Sequence, residues 1–298
     1  MGSVYAGLLS AAGNEVWAID IWEPHILAIQ KSGLRVEGKS GDRTVRINAT
    51  TNAADVGPCD LVVIATKAGD VEQAAKDAAV LLQPNTPVLT IQNGLGSPEK
   101  VAAILGAGRV VIGVVGGFGA SVTAPGHVHH HGMELLYLGE LGGPATRRLA
   151  EVAKVWRDAG FPVSVFDDIT QGVWEKLIFN VCFSATCALT GMTIGKVIAD
   201  EDAWLVASGC ATEAFLVARE RGTPLGFEDP VEYTRAFGLK IPKARPSMLQ
   251  DHFALRRSEV DVINGAIVLE GEKLGVPTPF NTAVTAFVRA RERELGLR

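Results

Sequence analysis

The chain has 298 residues, 47% of them hydrophobic and 20% charged, enough apolar material for two domains with buried cores. Its 28 basic and 33 acidic side chains are mixed along the sequence to a net charge of −5, with no basic stripe to neutralise phosphates, so nucleic acid is not an expected partner. Cys59, Cys182, Cys187 and Cys210 form no C-x-x-C pair and no apolar run reaches the roughly 20 residues that span a bilayer; a disulfide framework, a thiolate zinc site and a membrane partner are all disfavoured, and a reducing cytoplasm fits.

Met1, Gly2 and Ser3 lead into a helical stretch over 4–12, followed by Gly13, a strand over 15–19 and Asp20. This order matches the tail of a dinucleotide-binding βαβ unit. In the full G-x-G-x-x-G turn two glycines admit the pyrophosphate and the third lets the helix pack on the strand. Gly2 takes the third place, so the preceding strand and the other two glycines fall upstream of Met1, and a polypeptide that began at Met1 would bind nucleotide poorly. Such a start implies a start site set too far downstream or a truncated chain. Asp20 follows Gly2 by 18 residues, where an acid accepts from a ribose 2′-hydroxyl and repels the 2′-phosphate of NADP. Ile21 and Trp22 supply no arginine for that phosphate, and Lys31 is a distant substitute. The cofactor is therefore NADPH or NADH, with NADH preferred. An ordinary chain start at Gly2 and a plain strand-end or N-cap acid at Asp20 are the bland alternatives.

Apolar runs over 16–20, 60–66 and 86–92 predict buried parallel strands, with crossover helices over 70–82 and from Ser97-Pro98-Glu99 onward. A hairpin over 34–36 and 44–47, turning through 38–42, is expected to decorate the sheet's edge. Strand ends are where ligands bind in such a sheet, which marks Lys67 and the Asn93-Gly94 pair; a solvated lysine and a turn asparagine are the alternatives. Short strands over 108–139 (RVVIGVV, HVHHH, ELLYLGE) and a helix over 145–159 complete this part. His127, His129, His130 and His131 alternate between the faces of a strand and make a poor chelate, so no metal is expected.

Helical periods follow over 169–189, 202–221, 231–237, 247–274 and 282–294. The fold class is α/β: a Rossmann-like parallel-sheet domain over 1–167, its first strand missing, then an all-helical substrate domain over 168–298. Helical faces to spare are compatible with a homodimer. Lys176, Asn180 and Ser184 are spaced four apart on one helix and share a face. A partly desolvated ammonium there can stabilise the charge that builds on a reduced ketone's oxygen and donate its proton; a snorkelling surface lysine is the alternative. The helix over 247–274 carries Ser247 and Asp251 one turn apart and Glu259 two turns beyond.

With these motifs placed, the chain resembles the ketopantoate reductase (2-dehydropantoate 2-reductase) family over essentially its whole length. The resemblance rests on the order and spacing of MGS, TKA, QNGLG, IGVVGGFGA with PGHVHHHG, WEKLIFN, SMLQD and RRSEVDVING. It implies a Rossmann domain and a helical domain with the active site between them, reducing 2-dehydropantoate to pantoate with NADPH in pantothenate biosynthesis. It further implies Lys176 as general acid and Glu259 as the glutamate that contacts the substrate hydroxyl. Asn93, Asn180 and Ser247 fall on substrate- or cofactor-contacting positions and Lys67 follows the family's strand-end lysine; Gly2, Ser3, Asp20 and Gly94 complete the cofactor side from their own placement in the chain. Ser184 stands where the family usually has asparagine, which leaves room for another branched oxo acid as substrate. The missing nucleotide loop prompts a third reading, a non-catalytic binding or regulatory homologue.

Overall fold

The computed structural model describes residues 1–117, 119–132 and 135–298; Phe118 of the glycine-rich run and Glu134, which opens the ELLYLGE strand, lie outside the described residues. The chain divides into two units, one made of Met1–Gln92 with Ser97–Ile169 and the other of Thr170–Arg298 with the short segment Asn93–Gly96.

In chain order the first unit holds α1 (Gly2–Ala11), β1 (Trp17–Ile19), α2 (Glu23–Ser32), β2 (Leu34–Gly38), β3 (Arg43–Val45), β4 (Asn48–Thr50), β5 (Val62–Ile64), α3 (Val71–Ala78), β6 (Val88–Thr90) and α4 (Ser97–Leu105). It continues with β7 (Val110–Gly116), β8 (Gly119–Ala124), β9 (His127–Gly132), β10 (Leu135–Glu140), α5 (Arg147–Asp158) and β11 (Val163–Val165). Strands β5, β6 and β7 run parallel, with Val62, Val88 and Val110 in register, and β10 closes against β7 antiparallel to give the order β11-β10-β7-β6-β5. The helical stretches between them are the crossovers that parallel pairing requires.

Two sheet assignments differ from the sequence reading. β1 does not share a hydrogen-bonded sheet with β5 and β6; it pairs in parallel with β4, Trp17 opposite Asn48. β4 is three residues of Asn-Ala-Thr, too short and polar to register as a strand by pattern. Nor does the β2–β3 hairpin decorate the parallel sheet. It forms a separate sheet of order β3-β2-β9-β8, in which β2 runs parallel to the histidine strand β9. Gly38 permits this at β2's end, where a Cβ would stand 2.3 Å from the His130 carbonyl oxygen.

The second unit holds α6 (Thr170–Thr190), α7 (Ile194–Ala199), α8 (Glu201–Glu220), α9 (Pro230–Lys240), α10 (Ser247–Phe253), α11 (Asn264–Leu274) and α12 (Pro279–Glu294). α6 is its axis: Leu177, Ile178, Val181, Cys182, Phe183, Ala185, Cys187 and Ala188 are all buried. Burial raises the thiols of Cys182 and Cys187, the latter to about 12, so both are inert core residues. The expected continuous helix over 247–274 is broken. α10 stops at Phe253, Leu255 takes a left-handed φ of 49°, and only a short 3-10 turn over Val260–Val262 precedes α11. Glu259 therefore sits on a loop and not two helical turns beyond Asp251. No glycine or proline announces the break; it is held by tertiary bonds that periodicity cannot register.

Four helices are tied by buried amides. Asn264 of α11 donates to the Val181 carbonyl of α6 at 3.0 Å and to Asn281 Oδ1 of α12 at 3.0 Å. Asn281 in turn donates to the Cys210 carbonyl and to Glu213 of α8, whose carboxylate accepts the first backbone N–H groups of α12 at Phe280 and Asn281. Replacing one member strands the others without water. Asn281→Ala is expected to lower stability by about 2–4 kcal/mol in urea unfolding; an unchanged midpoint would show that the network contributes nothing net.

Candidate active site

In the first unit, the cofactor candidates gather at the start of α1 and the carboxyl ends of β1 and β5. The bare Cα of Gly2 faces Ala65, where an added Cβ would lie at an ordinary 3.6 Å. Close helix packing is instead enforced at Gly7, whose Cβ would stand 2.5 Å from Val36 Cγ2. Ser3 Oγ lies 3.0 Å from His25 Nε2, while His25 Nδ1 accepts from the Gly126 N–H at 3.0 Å. Burial lowers the His25 pKa, so the ring is neutral at pH 7 with its one proton on Nε2. Ser3 Oγ is then an acceptor from His25, and its own O–H remains to be donated elsewhere. Asp20 is exposed at the end of β1 and accepts from the Trp22 N–H at 2.9 Å; it is not itself the N-cap of α2, which is Trp22. Lys67 is exposed just beyond β5. Gln92, which the sequence reading did not single out, donates to the Ile64 carbonyl at 2.7 Å and the Thr66 carbonyl at 3.2 Å, fixing the loop that bears Lys67. Its only sequence signal was membership of the QNGLG run.

The second unit brings together Lys176, Asn93 and Glu259. Lys176 and Asn180 are half-buried on α6, Ser184 is fully buried deeper on the same helix, and Ser247 is half-buried at the first position of α10. Glu259 is 9% exposed and takes a long contact of 3.5 Å from Asn93 Nδ2. Desolvation draws the Lys176 ammonium down to about 8, and the Glu259 carboxylate acts in the opposite direction. A lysine so placed is charged at neutral pH yet gives up its proton far more readily than one in water. Gly94 has a packing reason for its place: at φ +82° its Cβ would lie 2.1 Å from the Val262 carbonyl oxygen, which accepts the Leu95 N–H at 2.9 Å. Asn93 is thereby delivered to the loop that carries Glu259.

On β9, His127, His129 and His131 share one face and His130 the other. Glu37 meets His127 Nε2 at 3.2 Å and His129 Nδ1 at 3.5 Å, while His130 bonds Ser40 and the Gly132 carbonyl. Among the described residues no group of three or more His, Cys, Asp or Glu is placed to hold a metal ion, and no helix is long and apolar enough to cross a membrane.

Family models described as ketopantoate reductase PanE/ApbA and its C-terminal part match residues 1–143 and 168–292. The 2-dehydropantoate 2-reductase of Streptococcus pyogenes is 30% identical over 298 residues, covering 100% of this chain and 96% of that protein. That of Archaeoglobus fulgidus is 31% identical, covering 99% and 96%. Among solved structures, a PanE/ApbA family ketopantoate reductase from Ralstonia eutropha superposes with a TM-score of 0.90 at 33% identity, covering 98% of this chain and 95% of that one. A D-mandelate dehydrogenase in complex with NADH and anilino(oxo)acetate gives 0.92 at 25% identity, covering 100% and 97%.

Gly94→Ala forces both a strained φ and a backbone clash. The substitution is expected to cost about 2–4 kcal/mol of stability and to lower turnover by displacing Asn93; wild-type thermal midpoint and activity would contradict this account of the segment.

Proposed function

Because the chain belongs to the ketopantoate reductase family, we propose that it reduces 2-dehydropantoate, or a 2-oxo acid of similar size, to the 2-hydroxy acid with NAD(P)H, on the route to pantothenate. Residues 1–167 serve as the dinucleotide domain and 168–298 as the domain of the reacting groups. The observation that carries this reading is Lys176, an ammonium drawn to about 8 with the buried Glu259 carboxylate acting on it.

The first unit fits the cofactor. α1 has ten residues and no side-chain cap at its start, so its first N–H groups suit a phosphate, joined by the Ser3 O–H and the Lys67 ammonium. The exposed Asp20 carboxylate suits ribose hydroxyls. Gly2, at the first position of α1, adds no side chain beside those N–H groups, while Gly94 serves by letting Asn93 pack against the Glu259 loop. Once bound, the dihydronicotinamide supplies the hydride.

The protein's own part concerns the carbonyl oxygen. As charge builds there, Lys176 Nζ donates a hydrogen bond to it and then its proton. Glu259 keeps that ammonium charged before the reaction and accepts from the substrate hydroxyl. Asn93, Asn180 and Ser247 orient the remaining polar groups, and the buried Ser184 shapes the deep end of the α6 face. We place the enzyme in the cytoplasm as a homodimer, for which light scattering should give twice the chain mass.

A second reading keeps the chemistry and changes the side chain of the oxo acid. It is favoured by Ser184, shorter than the family's usual asparagine, and by the likeness to a D-mandelate dehydrogenase. Steady-state assays with 2-dehydropantoate and phenylglyoxylate decide between them by kcat/KM; failure to reduce either would reject both.

Lys176→Ala is expected to lower kcat about 10²- to 10⁴-fold with the fold intact by circular dichroism. The ammonium is the donor, so kcat/KM for reduction should fall above about pH 8, and Glu259→Gln should move that limb to lower pH because the carboxylate raises the Lys176 pKa. A pH-independent rate up to pH 10 would exclude Lys176 as the donor. We also expect NADH to be preferred over NADPH, with Asp20→Ala narrowing the ratio of kcat/KM values about tenfold or more; equal use of both cofactors by the unaltered protein would remove Asp20 from that role.

A further inference from the structure

The loop that bears Glu259 is bolted down on both sides of it. On the N-terminal side, Ser258 presents two donors to one oxygen of Glu292 on α12, its N–H at 2.8 Å and its hydroxyl at 2.5 Å. The same oxygen lies 3.4 Å from His252 Nε2, and the other accepts from the Arg298 guanidinium. On the C-terminal side, Asp261 accepts from Arg289 at 2.8 Å, Arg257 at 3.1 Å and Arg298 at 2.6 Å. The Glu259 carbonyl closes the turn by accepting the Val262 and Ile263 N–H groups, and Val262 in turn accepts Leu95, so the same turn also carries Asn93.

Glu292 is wholly buried. Burial by itself raises its pKa, but the two Ser258 donors and Arg298 outweigh this and hold it below the ordinary carboxylate range. A buried carboxylate is a costly way to fill space, since an apolar side chain of similar volume packs at least as well. What it adds is direction: two bonds from one residue leave Ser258 little freedom to rotate, and the next side chain along is Glu259.

We propose that Glu292 is a positioning residue for the reduction, acting through Ser258 to set where the Glu259 carboxylate stands relative to Lys176. The inference rests on the role given to Glu259 above.

A double-mutant cycle tests it, with 2-dehydropantoate and NADPH or NADH as the assay pair. Glu292→Leu is expected to lower kcat/KM about ten- to a hundredfold, chiefly in kcat, because a misplaced reacting group costs that much. Glu292→Gln, which keeps an acceptor for Ser258, should recover part of the loss. Combined with Glu259→Gln, Glu292→Leu should have a clearly smaller effect, because the carboxylate that holds the Lys176 ammonium charged is already gone. If Glu292→Leu does not fold, Ser258→Ala, which deletes one hydroxyl, takes its place in the cycle. An equal fold-loss in both Glu259 backgrounds, or no loss in either, overturns the proposal while leaving Glu259 in its role. If Glu259→Gln by itself leaves turnover unchanged, the role of Glu259 fails and the proposal falls with it.

Discussion

Asn264 and Asn281 meet at 3.0 Å inside the helical unit, and between them they engage backbone or side chains of α6, α8 and α12. Hydrophobic contact alone would let these helices slide, because dispersion and burial are nearly indifferent to a shift of one turn. A buried amide is not indifferent: each misplacement leaves a donor or acceptor unpaired, at a cost of about 1–3 kcal/mol per group. One of these bonds reaches the Val181 carbonyl of α6 and, with that helix's buried apolar face, helps hold in place the helix that carries Lys176.

With α6 fixed, the proton donation proposed for Lys176 would depend on a balance of two opposed effects on one ammonium. Desolvation weakens its hold on the proton and the Glu259 carboxylate strengthens it. Either alone would spoil the donor: full desolvation without a countercharge discharges the lysine at neutral pH, and a close ion pair in water leaves it too weak an acid. The carboxylate would therefore have to be held at a set place although its own segment is not α-helical. The ionic bonds of Ser258, Glu292, Asp261, Arg289 and Arg298 supply that hold. The proposed cofactor side shows the same economy on a smaller scale, where neutral His25 orients Ser3 and Gln92 ties the ends of β5 and β6.

Much of this was legible in the chain. The helices α6 and α8 stand out because their apolar periods are long and uninterrupted, and β5 and β6 because fully buried strands read as continuous apolar runs. Lys176 stood out as a candidate because it is a charge inside an apolar helix, and Asp20 because of its distance from Gly2; the burial of Lys176 appears only in the structure. Other features were hidden for definite reasons. β4 is Asn-Ala-Thr, a strand made by its partner β1 and not by its own pattern. The break after Phe253 has no glycine or proline, because Glu292, 34 residues beyond Ser258, holds the loop open. Asn264 and Gln92 lay within quoted motifs, yet a lone amide gives no sign of what it will bond.

What the sequence by itself determined is local: which segments are helical or buried strand, that a dinucleotide-type βαβ pattern precedes a helical part, and which side chains carry suitable chemistry. These follow from the 3.6- and 2-residue periods and from charge placed against hydropathy, all short-range in the chain. What only the tertiary structure decided is which strands pair, how hard Lys176 is desolvated, and that Asn93 and Glu259 meet across 166 residues of sequence. Desolvation and pairing energies depend on distances in space between residues remote in the chain, and no periodicity within a segment encodes them.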